Sequence, residues 1–214
     1  MSKIRGIIFD AGDVLFNARL WRKWLHKFLK EEFNLKLTYS DLFYLWDNYY
    51  LRDIHLKRLD YNDGFCKFLN HLGLGQEKIK TINQKSFEKK KEIEENTKPY
   101  KWVYNYLPKI KSKGIKIGIL TDSENSSIII KKRYNIWEID RYIDIIISSA
   151  DTGIIKPYQE AYLFILKELD LNINATIFIG HDKDEILGAK ILGLKTVNYF
   201  NKTSFNSLMS ELLN

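Results

Sequence analysis

Two parts of the chain alternate short apolar runs with amphipathic segments. The runs are rich in β-branched residues and lack the apolar–polar alternation of half-exposed strands, which is typical of buried parallel strands. They predict five strands, at residues 4–9, 115–120, 143–147, 176–179 and 195–199. Between them apolar residues recur at helical spacing, as at Ala161, Ile165 and Leu169. This order predicts a doubly wound α/β fold, whose ligands bind beyond the carboxyl ends of the strands.

The segment between the first strand and the rest of the sheet has a different pattern. It contains no convincing strand, and its apolar residues recur three or four positions apart, which predicts four amphipathic helices. We therefore expect a helical unit at residues 17–96, inserted into a core made of residues 1–16 and 97–214. The four apolar stripes are Leu20, Trp24 and Phe28; Leu42, Leu45, Trp46 and Tyr49; Phe65, Phe68, Leu69 and Leu72; and Ile79, Ile82 and Phe87.

Composition excludes several classes of protein. Of the 214 residues, 45% are hydrophobic, which indicates a packed core and excludes a disordered chain. The single cysteine, Cys66, cannot form an intrachain disulfide, so a disulfide-stapled secreted fold is excluded. Asp10 and Asp13 interrupt the apolar stretch where a signal peptide would lie, and no run reaches the roughly 18 apolar residues of a membrane span. We expect a cytoplasmic protein that does not enter a membrane.

The net charge of +7 is compatible with nucleic acid, an anionic membrane or small phosphorylated substrates. The best nucleic-acid surface would be Trp21-Arg22-Lys23-Trp24. Both tryptophans lie on or near an apolar helical stripe, so we interpret them as helical core covered by basic side chains. We therefore expect no nucleic-acid partner. No pattern indicates the oligomeric state.

Polar residues follow three of the predicted strands. Asp10 follows the first, Thr121 the second, and an acidic loop at residues 181–185 follows the fourth. Each has an ordinary structural interpretation, as a helix cap, a turn residue or a solvated loop. Parallel strands bring their carboxyl ends to one edge of the sheet, so the three positions together indicate a site.

Four segments carry a family resemblance: IIFDAGDVLF, ILTDS, GIIKPYQEAY and IFIGHDKDEILGAKILGLKTV. They resemble the four ordered motifs of the haloacid dehalogenase-like superfamily, whose members are mostly phosphatases. The resemblance covers residues 4–16 and about 115–199. It implies a Rossmann-like α/β core with an inserted α-helical cap, Mg²⁺ as cofactor, and a small phosphorylated metabolite as substrate.

The resemblance also assigns roles to individual residues. Asp10 would be the nucleophile, and a carboxylate can accept a phosphoryl group to form an aspartyl-phosphate. Thr121 would bind the phosphoryl group through its hydroxyl, beside the backbone amides of Asp122 and Ser123. Lys156, before a proline, would offset the negative charges of Asp10 and the phosphate.

Magnesium would bind oxygen ligands at the same edge of the sheet. The resemblance implies Asp10, the Gly12 carbonyl, and Asp182 or Glu185 from the acidic loop. Alignment of the segment from residue 186 onward places His181 on the family's first acid and Glu185 on its second. An imidazole matches Mg²⁺ poorly, so we expect His181 to be a hydrogen-bonding loop residue. Which residues of loop 181–185 bind the metal stays open.

The first motif departs from the family pattern. The family has Asp-x-Asp-Gly, whereas this chain has Asp10-Ala11-Gly12-Asp13, so the usual acid/base position is a glycine. General acid–base catalysis typically contributes about 10²–10⁴-fold. Three accounts stay open: Asp13 takes the role, water or another group substitutes, or the enzyme is slow or needs good leaving groups. Asp13 as a turn residue facing solvent is a further alternative.

Two other functions are compatible with these motifs. Dehalogenases of the same superfamily also lack the second aspartate and need no metal. A non-catalytic protein could retain the phosphate site for sensing or partner contact. The acidic residues between positions 182 and 185 favour magnesium, and therefore phosphate. The sequence predicts a Mg²⁺-dependent phosphomonoester hydrolase that acts through an aspartyl-phosphate.

Overall fold

The computed structural model describes residues 3–213 and contains a five-stranded parallel sheet. The strand order is β3-β2-β1-β4-β5, with the first strand in the centre. The predicted parallel α/β sheet is confirmed, and each predicted strand is present within about two residues of its expected bounds. The strands are β1 (Gly6–Phe9), β2 (Lys116–Thr121), β3 (Ile145–Ser148), β4 (Thr176–Gly180) and β5 (Lys195–Asn198).

Helices cover both faces of the sheet, and each face carries its own apolar cluster. Successive side chains of β1 point to opposite faces and so enter different clusters. Ile7 and Phe9 pack into one apolar cluster, and Ile8 packs into another. All three are fully buried, as expected for a parallel sheet with two covered faces. The helices of this unit are α6 (Lys101–Ser112), α7 (Ser127–Ile136), α8 (Ser149–Thr152), α9 (Gln159–Glu168), α10 (Lys183–Ile191) and α11 (Lys202–Leu213).

The register of the sheet determines which residues meet at its carboxyl edge. Phe9 pairs with Ile119 on β2 and with Ile179 on β4. The next residue, Asp10, donates its backbone N–H to the Ile179 carbonyl at 2.9 Å. Asp10 therefore lies at the edge between the ends of β2 and β4, where Thr121 and the acidic loop begin.

The chain divides into two compact units. One combines the chain up to Asn17 with the chain from Lys98 onward, and the other is Ala18–Thr97. The second unit is helical and has its own apolar core around Trp46, Phe65 and Phe68. Its helices are α1 (Leu20–Phe33), α2 (Tyr39–Trp46), a π-helical turn (Asp47–Leu51), α3 (Arg52–His55), α4 (Tyr61–His71) and α5 (Gln76–Asn96).

Two aromatic residues expected in the helical core are exposed instead. Tyr49 is 59% exposed because it lies in the π-helical turn, where the wider turn ends the α-helical spacing from Trp46. Phe87 is 72% exposed, because α5 turns Ser86 inward to accept a hydrogen bond from Trp21 Nε1 at 3.0 Å. Within residues 3–213, no helix is both long and apolar enough to cross a membrane.

Candidate active site

Asp10 and Lys156 form a buried ion pair at the carboxyl edge of the sheet. Lys156 Nζ lies 2.7 Å from Asp10 Oδ1, although the two residues are 146 positions apart in the chain. The same oxygen accepts the Ala11 backbone N–H at 2.9 Å. Asp10 is 5% exposed and the Lys156 side chain 1% exposed. The structure thus brings the predicted nucleophile and the predicted lysine together, with one carboxylate oxygen fixed.

Three carboxylates surround the Lys156 side chain. Burial lowers the pKa of Lys156, but Asp10, Glu185 and Asp122 raise it by more, so that the net pKa is well above its usual value. Glu185 Oε2 lies 3.1 Å from Nζ, as a charge contact rather than an aligned hydrogen bond. The Lys156 backbone N–H donates to Asp122 Oδ1 at 3.3 Å. Lys156 therefore carries its positive charge at neutral pH.

The neighbouring carboxyl groups hold protons more tightly than usual. Burial raises the pKa of Glu185 to about 8, although the Lys156 ammonium opposes the shift. Burial likewise raises the pKa of Asp122 to about 6, against the same ammonium. Burial also raises the pKa of Tyr162, whose hydroxyl donates to the Glu185 carbonyl at 2.6 Å. Tyr162 thus connects α9 to the first turn of α10, which carries Glu185.

Gly188 lets α10 pass close to the loop that carries Lys156. A Cβ atom at this position would lie 2.5 Å from the Pro157 carbonyl oxygen and 2.8 Å from Pro157 Cβ. Such distances are too short for any real side chain, so only glycine permits this approach. The close approach sets Glu185, one turn earlier on α10, against Lys156.

Thr121 ends β2 opposite Ser148 of β3 and is buried. The loop that follows is held by side chains of the next strand–helix junction. The Ser123 amide donates to Ser149 Oγ at 2.9 Å, and Ser148 Oγ donates to the Asn125 carbonyl at 2.6 Å. The Ser123 amide, expected beside a phosphoryl group, is therefore bonded to Ser149 in this structure.

The side chains of the acidic loop, residues 181–185, point in different directions. His181 Nε2 lies 3.4 Å from Asp10 Oδ2, the oxygen not bonded to Lys156. Asp182 is exposed and caps α10, because its Oδ1 accepts the amides of Asp184 at 2.9 Å and Glu185 at 3.2 Å. Asp184 is exposed on the first turn of α10. Of the four loop residues considered for the metal, His181 and Glu185 face the Asp10–Lys156 pair.

A divalent cation fits these residues if it retains much of its water. Among residues 3–213, no three His, Cys, Asp or Glu side chains are grouped closely enough to hold a metal ion. Asp10 Oδ2 and His181 Nε2 are near enough to share one ion, and Gly12 follows two residues after Asp10. Mg²⁺ commonly binds through one or two carboxylates and keeps several waters, so Asp10 alone could supply its carboxylate ligand here.

The turn after Asp10 contains Gly12 and Asp13. Asp13 has a φ of 57° and is 7% exposed, so it is not the solvent-facing turn residue considered above. A left-handed backbone is unusual for a residue with a Cβ, although Asp tolerates it better than most. The backbone therefore turns sharply and keeps the Asp13 carboxyl inside the protein, three residues after the predicted nucleophile.

The amino-acid sequence is similar to those of known proteins. Residues 7–199 match the haloacid dehalogenase-like hydrolase family, and the chain belongs to that family. It is 24% identical over 197 residues to a pyrophosphatase, PpaX, of Bacillus mycoides, covering 91% of this chain and 83% of that protein. It is 28% identical over 207 residues to a glyceraldehyde 3-phosphate phosphatase of Methanocaldococcus jannaschii, covering 91% of this chain and 84% of that protein.

The fold is also similar to that of a dehalogenase solved with an intermediate complex. The TM-score is 0.66 at 19% identity, over 92% of this chain and 85% of that one. Membership of the family makes the chain a hydrolase with a Rossmann-like α/β core. Phosphatases and dehalogenases share this fold, so the fold does not by itself select the substrate.

Proposed function

We propose that this hydrolase is a phosphatase that transfers the phosphoryl group of a small phosphorylated metabolite to Asp10 and then to water. The observation that carries the proposal is the buried Asp10–Lys156 pair, 2.7 Å long, at the carboxyl edge of the sheet. Burying two charges costs several kcal/mol each before pairing, so a pair at this edge favours a functional role. The curated relatives named above are both phosphoryl hydrolases by name.

The Asp10 carboxylate would attack the phosphorus. Oδ1 is held by Lys156 and by the Ala11 amide, which orients the carboxylate and leaves Oδ2 toward His181. Attack on phosphorus forms the Asp10 O–P bond and breaks the bond to the leaving oxygen. Water then attacks phosphorus, which releases inorganic phosphate and restores the Asp10 carboxylate.

Charge stabilisation would come from Lys156 and from Thr121. Phosphoryl transfer depends chiefly on positioning and on electrostatic stabilisation of the phosphoryl oxygens. The Lys156 ammonium is fixed by its carboxylate partners and so needs little reorganisation when charge develops. The Thr121 hydroxyl would bind the phosphoryl group at the end of β2.

A divalent cation, Mg²⁺ by family resemblance, would be held by Asp10 and the Gly12 carbonyl, with water and substrate oxygens in its other positions. When bound it would neutralise charge on the phosphoryl oxygens. Asp182 and Glu185 are less suited than the sequence predicts, because one caps α10 and the other contacts Lys156.

Asp13 is our candidate for the acid/base that Gly12 lacks. It is buried three residues after Asp10, and its carboxyl could give a proton to the leaving oxygen and take one from the attacking water. If water substitutes for this carboxyl instead, good leaving groups will be hydrolysed much faster than poor ones.

The test is phosphate release from a panel of sugar phosphates, nucleoside monophosphates, phosphorylated carboxylic acids and pyrophosphate, with and without added Mg²⁺. Pyrophosphate is included because it is an anhydride rather than a monoester. We expect Asp10→Asn to reduce turnover at least about 10³-fold, as expected for loss of a nucleophile. Asp170→Asn is the matched control, because Asp170 is exposed and Asn tolerates its left-handed backbone.

Two outcomes would point to a different function. Halide release from 2-haloacids without phosphate release would show a dehalogenase, which the replacement of two family acids by Gly12 and His181 makes the second candidate. Absence of both, together with no binding of beryllium fluoride in the presence of Mg²⁺, would indicate a non-catalytic protein, because an active nucleophile should bind this aspartyl-phosphate mimic tightly. Equal phosphate release by wild type and Asp10→Asn would remove the support for Asp10 as nucleophile.

A further inference from the structure

His181 stands beside the oxygen of Asp10 that Lys156 leaves available. It directly follows β4, and its Nε2 lies 3.4 Å from Asp10 Oδ2. The ring also contacts Phe200, with ring centroids 5.3 Å apart. The imidazole thus faces the Asp10 carboxylate across the carboxyl edge of the sheet.

The separation of these two atoms allows both to bind one ion. Metal–nitrogen and metal–oxygen bonds of about 2.0–2.2 Å permit two donors of one ion to stand at most about 4.3 Å apart. The 3.4 Å between Nε2 and Oδ2 lies inside that limit. Within residues 3–213 no third such side chain completes a cluster, so backbone carbonyls, water and substrate oxygens would fill the other positions.

Two carboxylates of loop 181–185 are already engaged. Asp182 accepts two amides of α10, and Glu185 contacts the Lys156 ammonium. An ion at Asp10 would therefore meet a nitrogen donor where an acidic loop would otherwise present oxygen. Imidazole suits Co²⁺, Ni²⁺ and Zn²⁺, whereas Mg²⁺ prefers oxygen ligands and gives up water reluctantly.

We propose that His181 is a metal ligand that shifts the selectivity of the Asp10 site away from Mg²⁺ toward nitrogen-binding divalent ions, with Co²⁺ as the representative. The proposal rests on the proposed function only in placing a cation at Asp10. Because ion selectivity is assigned to His181 alone, substitution of His181 alone should reverse the preference between the two ions.

The experiment measures metal affinity directly, by titration calorimetry with Mg²⁺ and with Co²⁺, and records the visible absorption of the Co²⁺ protein. Wild type, His181→Asp, His181→Ala and the control His71→Asp are compared, His71 being an exposed histidine of α4. We expect His181→Asp to lower the ratio of Co²⁺ to Mg²⁺ affinity at least about tenfold. Loss of a residue that only hydrogen-bonds a metal ligand already costs about 10–100-fold in metal affinity, so loss of a ligand itself should cost at least the lower value.

The remaining variants separate the possible outcomes. His181→Ala should weaken Co²⁺ binding and change its absorption spectrum without improving Mg²⁺ binding, and His71→Asp should match wild type. The proposal is overturned if wild type binds neither ion, or if the affinity ratio is the same in wild type and His181→Asp. Phosphate release abolished by Asp10→Asn, with an unmoved affinity ratio, would refute this inference alone. A shifted ratio without hydrolysis of any substrate would refute the proposed function alone.

Discussion

Among residues 3–213, the α/β unit buries charged side chains and the helical unit buries none. At the carboxyl edge of the sheet, Asp10, Thr121 and Lys156 are buried although two of them are charged. The core of the helical unit is built on Trp46 and Phe65. Its ion pair between Arg22 and Asp47, in which Arg22 donates to both carboxylate oxygens, lies partly exposed at the surface. Buried charge weakens a fold unless it is paired, whereas buried aromatic surface strengthens it. The buried charges therefore lie in the unit where we propose the chemistry, whereas the aromatic cluster packs the core of the helical unit.

The largest effect is expected where the aromatic cluster is broken. Trp46 is 1% exposed and contacts the rings of Phe65 and Phe68. Trp46→Ala should lower the free energy of unfolding by about 3–5 kcal/mol through cavity formation. Urea unfolding followed by circular dichroism measures this change. Tyr44→Ala, at a side chain 62% exposed, should stay within about 0.5 kcal/mol of wild type, and equal losses in both variants would contradict the contrast.

Removal of the buried ammonium tests the other half of the contrast. Lys156→Met keeps the side-chain length but leaves Asp10 and Glu185 without their cation. We expect kcat/KM for phosphate release to fall about 10²–10³-fold, the range found when one preorganised donor is lost. Lys167→Met, at an exposed position of α9, is the control. Unchanged kcat/KM in Lys156→Met would mean that the ion pair is structural.

Gly188 offers a way to move Lys156 without altering it. Gly188→Ala places a methyl group against the Pro157 backbone, so the loop carrying Lys156 must shift. A misplacement of about 1 Å can cost about 10²-fold, and we expect kcat to fall about tenfold for a partial shift. Steady-state kinetics gives the value. Gly75→Ala, where a new Cβ meets no atom within 4 Å, should leave kcat unaltered, and a matching loss there would sink the positional explanation.

The smallest effect concerns the bond between α9 and α10. Tyr162→Phe removes the hydroxyl that donates to the Glu185 carbonyl at 2.6 Å. One hydrogen bond is worth about 1 kcal/mol of stability on average, so we expect a loss of that size in urea unfolding. Tyr158→Phe is the control, because Tyr158 is exposed. A loss well above the control but without any change in kcat would limit Tyr162 to a structural role.

The sheet could be predicted because its signal is local. Each strand is a short β-branched run, and the structure places all five within about two residues of the predicted ranges. The helical unit was predicted less accurately at Tyr49, since a π-helical turn has no hydrophobic signature that distinguishes it from an α-helix. Phe87 fitted a helical stripe, but the interior side of α5 was decided by the Trp21–Ser86 hydrogen bond.

The parts of the candidate site that lie at strand ends or in sequence motifs could be predicted. These signals predicted that Asp10, Lys156 and Glu185 lie at one edge of the sheet, and in the structure Lys156 contacts both carboxyl groups. The capping role of Asp182 had a signal, because an acid three residues before Glu185 at a helix start is a capping pattern. The contact of Gly188 with Pro157 had none, since it depends on how two distant segments pack.

The proposed mechanism requires Asp10 to form a covalent bond to the phosphoryl group. The direct measurement is mass spectrometry of the protein after rapid acid quenching during turnover of the best substrate from the panel. We predict the mass of one phosphoryl group on the peptide that contains Asp10, and its absence in Asp10→Asn. Steady turnover by wild type with the phosphoryl group on a different residue would show that Asp10 is not the nucleophile.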